Sequence, residues 1–415
     1  MDYKTVPAHP RAGVCEQPLA LAIYIIGWLD LVLRWAHIIT GIAWIGSSFY
    51  FIWLDMRLNV PPRDPENDDV AGDLWAVHGG GFYHAQKYKI APGELPEPLH
   101  WFKWEAYFTW ITGFLLFVVV YYMNARSMLV DPRIADISPQ AAVGISLGLL
   151  LVGFGVYAAL CALKISERSF TLLSCVALLL LFWVLSQVFT GRGMFMQVGA
   201  MLGTIMAANV LMVIIPSQRK LVAAKLAGEQ PDAALGAKAK RRSVHNNYLT
   251  LPVVFVMISP HFPMTYGHAY NWVVLFVIFL GGALVRHYFN LRNQGRHVVA
   301  IPIGVLVISF VLAAAILPRG PVGTTGDEVP AFTEVRRIIQ QRCATCHSST
   351  PTHVTAPIPA AGVIFDTEQD IGAWAQRIYD RTVVNPTMPL ANLTEMTEEE
   401  RRIIGAWYAG GAPLQ

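Results

Sequence analysis

The sequence predicts an all-α protein in two parts: a polytopic membrane helix bundle of about eight spans, then a small soluble helical domain at the C-terminus. Three observations predict it. Hydrophobic residues make up 54% of the 415 residues and charged residues only 14%, with a mean hydropathy of +0.44. That balance suits a polytopic membrane protein and excludes an ordinary soluble one. Apolar runs long enough, or nearly so, to span a bilayer lie near 31–54, 102–123, 142–163, 170–190, 194–215, 248–262, 271–290 and 298–317. After Pro318 the composition changes: "PRGPVGTTGDEVP" reads as a linker over 318–330, and 331–415 is polar and mixed.

Taken in order, "MDYKTVPAHPRAGVCEQP" has no apolar core before Cys15, so neither a cleavable signal peptide nor a lipoprotein is expected. Residues 19–30 extend the first helix or lie at the interface. In the first span Asp30, Arg34, His37, Gly41, Trp44 and Ser48 recur at helical steps and form one face, expected to point into the bundle. His37 and Gly41 read either as a structural pair or as a place where a flat cofactor approaches the backbone. The first connection, "WAVHGGGFYHAQKYKIAPGELPEPLHWFKWEAY", gathers His78, His84, Lys87, Lys89, His100, Lys103 and Glu105 among aromatics. Its Gly79–Gly81 run lacks Walker and Rossmann spacing. The connection reads either as a solvated loop beside an aromatic belt or as a pocket for an aromatic anion. Cys161 and Cys175 sit in apolar runs and read as inert. The sixth span is short and carries Pro252 and Pro260, and broken spans often line sites. His245, Asn246 and Asn247 fall at one end of it, His261 and His268 at the other. Arg34, His37, His261 and His268 are therefore expected to form an outer cluster.

Positive charge sets the orientation. Lys and Arg concentrate in the odd-numbered connections, above all Arg219, Lys220, Lys225, Lys238, Lys240, Arg241 and Arg242 between spans five and six. By the positive-inside rule these connections are cytoplasmic, which puts both termini and the C-terminal domain in the periplasm of a bacterial inner membrane. The lipid bilayer is an expected partner; nucleic acid is not.

In "QQRCATCHSST", Cys343, Cys346 and His347 spell C-x-x-C-H, the attachment signal for c-type haem. A structural zinc site would need a second ligand pair. The thiols would form thioethers, and His347 would be the proximal iron ligand. A second axial ligand, commonly methionine, is expected from "NPTMPLANLTEM": Met388 between Pro386 and Pro389, with Met396 as the rival. Thr397 and Glu400 form a capping box before "TEEERRIIGAWY", and "FTEVRRIIQQ" supplies a partner helix. The domain reads as a small class I cytochrome c.

The stretches "RWAHIITGIAWIGSSFYFIWLD", "GGGFYHAQKY", "LHWFKWEAY", "HNNYLTLPVVFVMISPHFP" and "YGHAYNW", with eight spans followed by C-x-x-C-H, resemble the integral-membrane cytochrome c urate oxidases. The resemblance implies oxidation of urate to 5-hydroxyisourate, with electrons passing through haem c to a soluble cytochrome c or cytochrome oxidase. It carries over no catalytic set. The residues themselves nominate His84, Lys87, His100, Lys103, Glu105 and His245, or the outer cluster. A cytoplasmic site would lie roughly 30 Å from a periplasmic haem. Either substrate enters deeply, or a non-covalent haem b on His37 with His261 or His268 bridges the gap. Two rival classes stay open: a quinol-linked membrane electron-transfer protein, and a transporter or sensor with a fused cytochrome c.

Overall fold

The protein is described here from a computed structural model, which covers residues 16–60, 69–317, 329–353, 356 and 359–414. The N-terminal expectation about Cys15 and residues 318–328 of the expected linker lie outside the described residues.

Among the described residues, six helices are long and apolar enough to cross a membrane. They are α1 (Glu16–Arg57), α2 (Trp104–Tyr122), α3 (Pro139–Ala162), α4 (Glu167–Ser186), α5 (Gly191–Leu226) and, after α6 (Ala233–Ile258), α7 (Asn271–Asn293). The sequence led to an expectation of eight spans. The sixth of those runs covers the C-terminal part of α6, which passes through Pro252 unbroken, and the 3₁₀ turn Ser259–His261 that follows; the N-terminal half of α6 carries the Lys and Arg residues that lower its hydropathy. The eighth is α8 (Ala300–Ala315), apolar but only 16 residues long. Residues 19–30 do extend the first helix. At 42 residues, α1 is about 63 Å long, twice a hydrocarbon core.

The first departure from an all-α fold is a hairpin in the first connection. Strand β1 (Val70–His78) pairs antiparallel with β2 (Gly81–Tyr88). The turn between them falls on Gly79 and Gly80, at φ +58° and +83°, a left-handed pair that glycine adopts without strain. The glycine run is thus a turn device.

The bundle is built round α5, whose Met194, Phe195, Val198 and Leu202 are buried against Phe182 and Leu185 of α4 and Val256 of α6. In the second turn of α5, Gln197 is buried and bonded at both amide atoms: Ser146 Oγ donates to its Oε1, and its Nε2 donates to the Ser146 carbonyl at 3.0 Å. A buried amide in a membrane bundle needs such partners.

The C-terminal domain packs α9 (Phe332–Arg342) against α10 (Glu398–Ala409) around Val335, Ile338, Ile339, Met396, Ile404 and Trp407. The capping box of Thr397 and Glu400 opens α10 as expected. Glu400 also receives Arg342 Nε at 3.0 and 3.1 Å. The domain sits against one end of the bundle, on the connections after α2, α4 and α6; the hairpin and the connections after α3 and α5 are at the other end.

Burial disfavours the Glu400 carboxylate, but the Thr397 backbone N–H and the Arg342 guanidinium outweigh it and hold the pKa below the ordinary value. A depressed carboxyl pKa stabilises above the ordinary carboxylate range and loses that contribution as pH falls through the folded value. Glu400→Gln should therefore destabilise the C-terminal domain at pH 7 by about 1–2 kcal/mol, with the difference shrinking toward pH 3. Thermal melts of both proteins at the two pH values check this.

Candidate functional site

Where the two parts meet, the connections of the bundle and the loop after residue 380 enclose a seam with two cavities, of about 410 and 730 Å³. Arg192 and Arg381 line both. Arg192 opens α5. Its guanidinium donates to the Pro260 carbonyl at 3.3 Å and to the Tyr266 hydroxyl at 3.4 Å, and lies 5.5 Å from the Tyr266 ring centre. Among the described residues neither arginine has a carboxylate partner, whereas nearby Arg133 is held by Asp131 through two bonds. The seam thus carries a net positive charge, although the Asp380 carboxylate also lines the larger cavity.

Two imidazoles join it. His268 lines the smaller cavity, and its Nδ1 accepts from the Tyr270 N–H at 3.1 Å, so in the neutral ring Nε2 is the donor. His261 is exposed and lines the larger cavity. Two buried oxygens on the smaller cavity, Asn271 Oδ1 and Thr387 Oγ1, have no protein partner. Buried polar atoms are usually paired, so these mark a place where a polar molecule completes the site.

Met388 stands on the wall of the smaller cavity from the C-terminal side. Arg401 of α10, 4% exposed, holds that wall: its Nη1 donates to the Met388 carbonyl at 2.9 Å and to the Thr382 carbonyl, and its Nη2 reaches Asn392 Oδ1 at 3.3 Å. On the membrane side Gly267 is in close contact. A Cβ there would lie 2.8 Å from the Pro263 carbonyl oxygen and 3.1 Å from Thr387 Cγ2.

In the C-terminal domain Cys343 is buried and Cys346 half-buried, one helical turn apart at the end of α9. His347 Nδ1 donates to the Val363 carbonyl at 3.3 Å, which fixes the ring and leaves the Nε2 lone pair for a metal. This is the donor set that covalent haem attachment requires, so the residues fit the group. The two methionines differ. Met396 is 2% exposed and packed in the core; Met388 is half-buried on the loop.

The expected outer cluster divides. His261 and His268 reach the seam, but Arg34 pairs with Asp30 at 2.6 Å, and His37 is held midway along α2, with Nδ1 donating to the Thr109 carbonyl at 3.0 Å. Among the described residues no hydrogen bond or ion pair joins the two pairs. At the opposite end the cationic residues are largely engaged. His84 Nε2 contacts Asp73 Oδ2 at 2.7 Å and stacks on Trp75, while Asp55 bridges Lys87 and Lys240. The first pair ties the two strands together, and Asp55 ties the hairpin to α1 and α1 to α6. His100 packs edge-on to Phe102, and Lys103 lies over Trp104. Glu105 Oε2 is buried without a partner. His245 stacks on Phe170 and bonds Tyr157 at 2.9 Å. Sequence reasoning missed Arg381, Tyr266, Asn271 and Thr387. Arg192, as a cation at the start of an apolar span, was the one available signal.

The sequence model described as urate oxidase N-terminal matches residues 23–317. The chain belongs to that family. The matched region ends where the expected membrane domain ends, and the family indicates a urate-related oxidoreductase. No curated protein and no solved structure matches the chain. For this urate oxidase family member the two methionines differ in packing, and the stability of the haem-free chain measures that difference. Met396→Ala should cost the C-terminal domain about 2–5 kcal/mol through loss of buried volume, and Met388→Ala much less. Chemical denaturation of the two variants is the check.

Proposed function

We propose that the chain is a membrane-bound urate oxidase that converts urate to 5-hydroxyisourate at the seam and delivers the electrons to a c-type haem on Cys343, Cys346 and His347. From there they pass to a soluble cytochrome c or cytochrome oxidase. The proposal also places the chain in a bacterial inner membrane, with the seam and C-terminal domain in the periplasm, as the charge of the connections favours. The observation that carries the reading is the seam itself: Arg192 and Arg381, neither in an ion pair among the described residues, line both cavities, with His268 and the loop of Met388 walling the smaller and His261 the larger.

Urate is flat and anionic near neutral pH. Arg192 and Arg381 suit its oxygens as charge-assisted donors. The neutral His268 ring offers Nε2–H to a further oxygen, and the Tyr266 ring offers apolar surface beside Arg192. The reaction consumes urate and water and yields 5-hydroxyisourate, two protons and two electrons. Water adds at the bridging carbon and needs a base near neutrality, a role that suits exposed His261. The haem, when bound, would supply one-electron acceptance, and Met388 together with His347 would hold its iron. The cleft must therefore retain the half-oxidised substrate between two transfers, which its position between two packed domains favours. On this reading substrate lies next to the acceptor domain, and a bridging haem b on His37, His261 or His268 is not needed.

Arg381→Gln and Arg192→Gln should each raise the KM for urate roughly tenfold or more, the loss of a hydrogen bond from a charged donor, with haem content unchanged. Unaltered KM in both variants would contradict the seam as the substrate site. Cys343→Ala combined with Cys346→Ala should abolish covalent haem and urate-dependent cytochrome reduction while the bundle still inserts. Covalent haem surviving denaturation in that variant would contradict the attachment.

A further inference from the structure

A second set of incompletely satisfied polar groups lies far from the seam. Arg286 and Asn290 are one turn apart on α7 and face Asn247 of α6 and Phe49 of α1. They are buried: 6% exposed for Arg286, 3% for Asn290 and 0% for Asn247. Arg286 Nε donates to Asn247 Oδ1 at 2.9 Å, and Asn290 Nδ2 donates to the same oxygen at 3.1 Å. That shared acceptor fixes both amides. It turns Asn247 Nδ2 and Asn290 Oδ1 elsewhere, and both are buried with no protein partner. The guanidinium lies 4.0 Å from the centre of the Phe49 ring. Among the described residues no carboxylate pairs with it.

This arrangement is costly as pure structure. A buried guanidinium without a counter-ion, in a membrane bundle, is expected to face a partner that is not part of the chain. The open groups define that partner. Arg286 calls for negative charge, Asn247 Nδ2 for an acceptor, and Asn290 Oδ1 for an N–H. The Phe49 ring lies against one face of the guanidinium, so an anion meets the cation at its edge. A planar anion with neighbouring carbonyl and N–H groups meets all of them. Arg286 lies fifteen residues past Asn271, about 22 Å along α7 from the seam. The set therefore cannot be part of the seam cleft.

We infer that Arg286, Asn247 and Asn290, with Phe49, form a second binding site for a planar lactam anion, in the half of the bundle remote from the C-terminal domain. The identity of that anion as urate rests on the proposed function; the site itself rests on the buried unpaired groups. It gives the anion a place to bind on the side opposite to where it is oxidised.

The test is equilibrium binding of radiolabelled urate to the full-length protein in lipid nanodiscs, anaerobic and with the haem pre-reduced so that no turnover occurs. The wild type should bind two equivalents. Arg286→Gln should lose one of the two high-affinity equivalents, and so should Arg192→Gln, whose seam site is weakened roughly tenfold or more. Asn290→Asp guards against misfolding: it places a carboxylate beside Arg286, which neutralises the cation internally and repels an incoming anion, so it should also bind one equivalent. Two equivalents retained in both Arg286→Gln and Asn290→Asp would overturn the inference and leave the oxidation reading intact. One equivalent in the wild type, lost in Arg192→Gln alone, would do the same. One equivalent lost only in Arg286→Gln and Asn290→Asp would support the inner site and overturn the seam. No binding by the wild type would overturn both.

Discussion

Arg401 fixes the loop by which the C-terminal domain meets the bundle. Its buried guanidinium ties the Thr382 and Met388 carbonyls and the Asn392 amide to α10, so the stretch from 382 to 392 has one shape. That shape seats Thr387 against Gly267 and brings Met388 to the cavity wall. A guanidinium suits this task because its donors radiate in a plane from one rigid group. Without the clamp the loop would lose its register on α10, and the cleft would lose its far side.

Polar groups in the bundle separate into two kinds. The amide of Gln197 is answered twice by Ser146, and Tyr122 closes the chain at 2.8 Å from the Ser146 hydroxyl. Such a network holds helices together and asks for nothing more. The groups at the two ends are different. Asn271 and Thr387 at the seam, and Asn247 and Asn290 remote from it, each leave a buried atom open. The contrast is energetic: in a medium without water an unmet donor or acceptor costs several kcal/mol, so it persists where a ligand or water meets it.

Much of the fold was legible. Apolar runs located the helices of the bundle, and the capping signature of Thr397 and Glu400 located the last helix. The hairpin was missed although its signals were present. Trp75 and Val77 alternate on one strand, Phe82 and His84 on the other, and two glycines supply the turn; the histidines and lysines drew the reading toward a binding loop. Those cations turn out to be matched by Asp55 and Asp73, and such pairing across 11 to 32 residues is not visible in a linear pattern. His261 and His268 lie past the end of α6, where Pro260 and Pro263 mark the stop; of these Pro260 was the legible signal. The seam could not be read, since it joins residues 260–271 to residues 381–391 across more than a hundred positions. Helical periodicity placed His37 on an inward face, but the depth of that face depends on how α1 packs against α2, and there the ring is held by Thr109.

The central claim is that urate gives its electrons directly to the C-terminal domain across the seam. Anaerobic stopped-flow mixing of the purified protein with urate, recorded across the haem absorption bands, tests it most directly. The account predicts that a c-type spectrum is reduced in a first-order step after binding, with no b-type band preceding it, and that Gly267→Val slows this step at unchanged haem content. A b-type band reduced ahead of the c-type spectrum, or no reduction of the haem by urate, would contradict it.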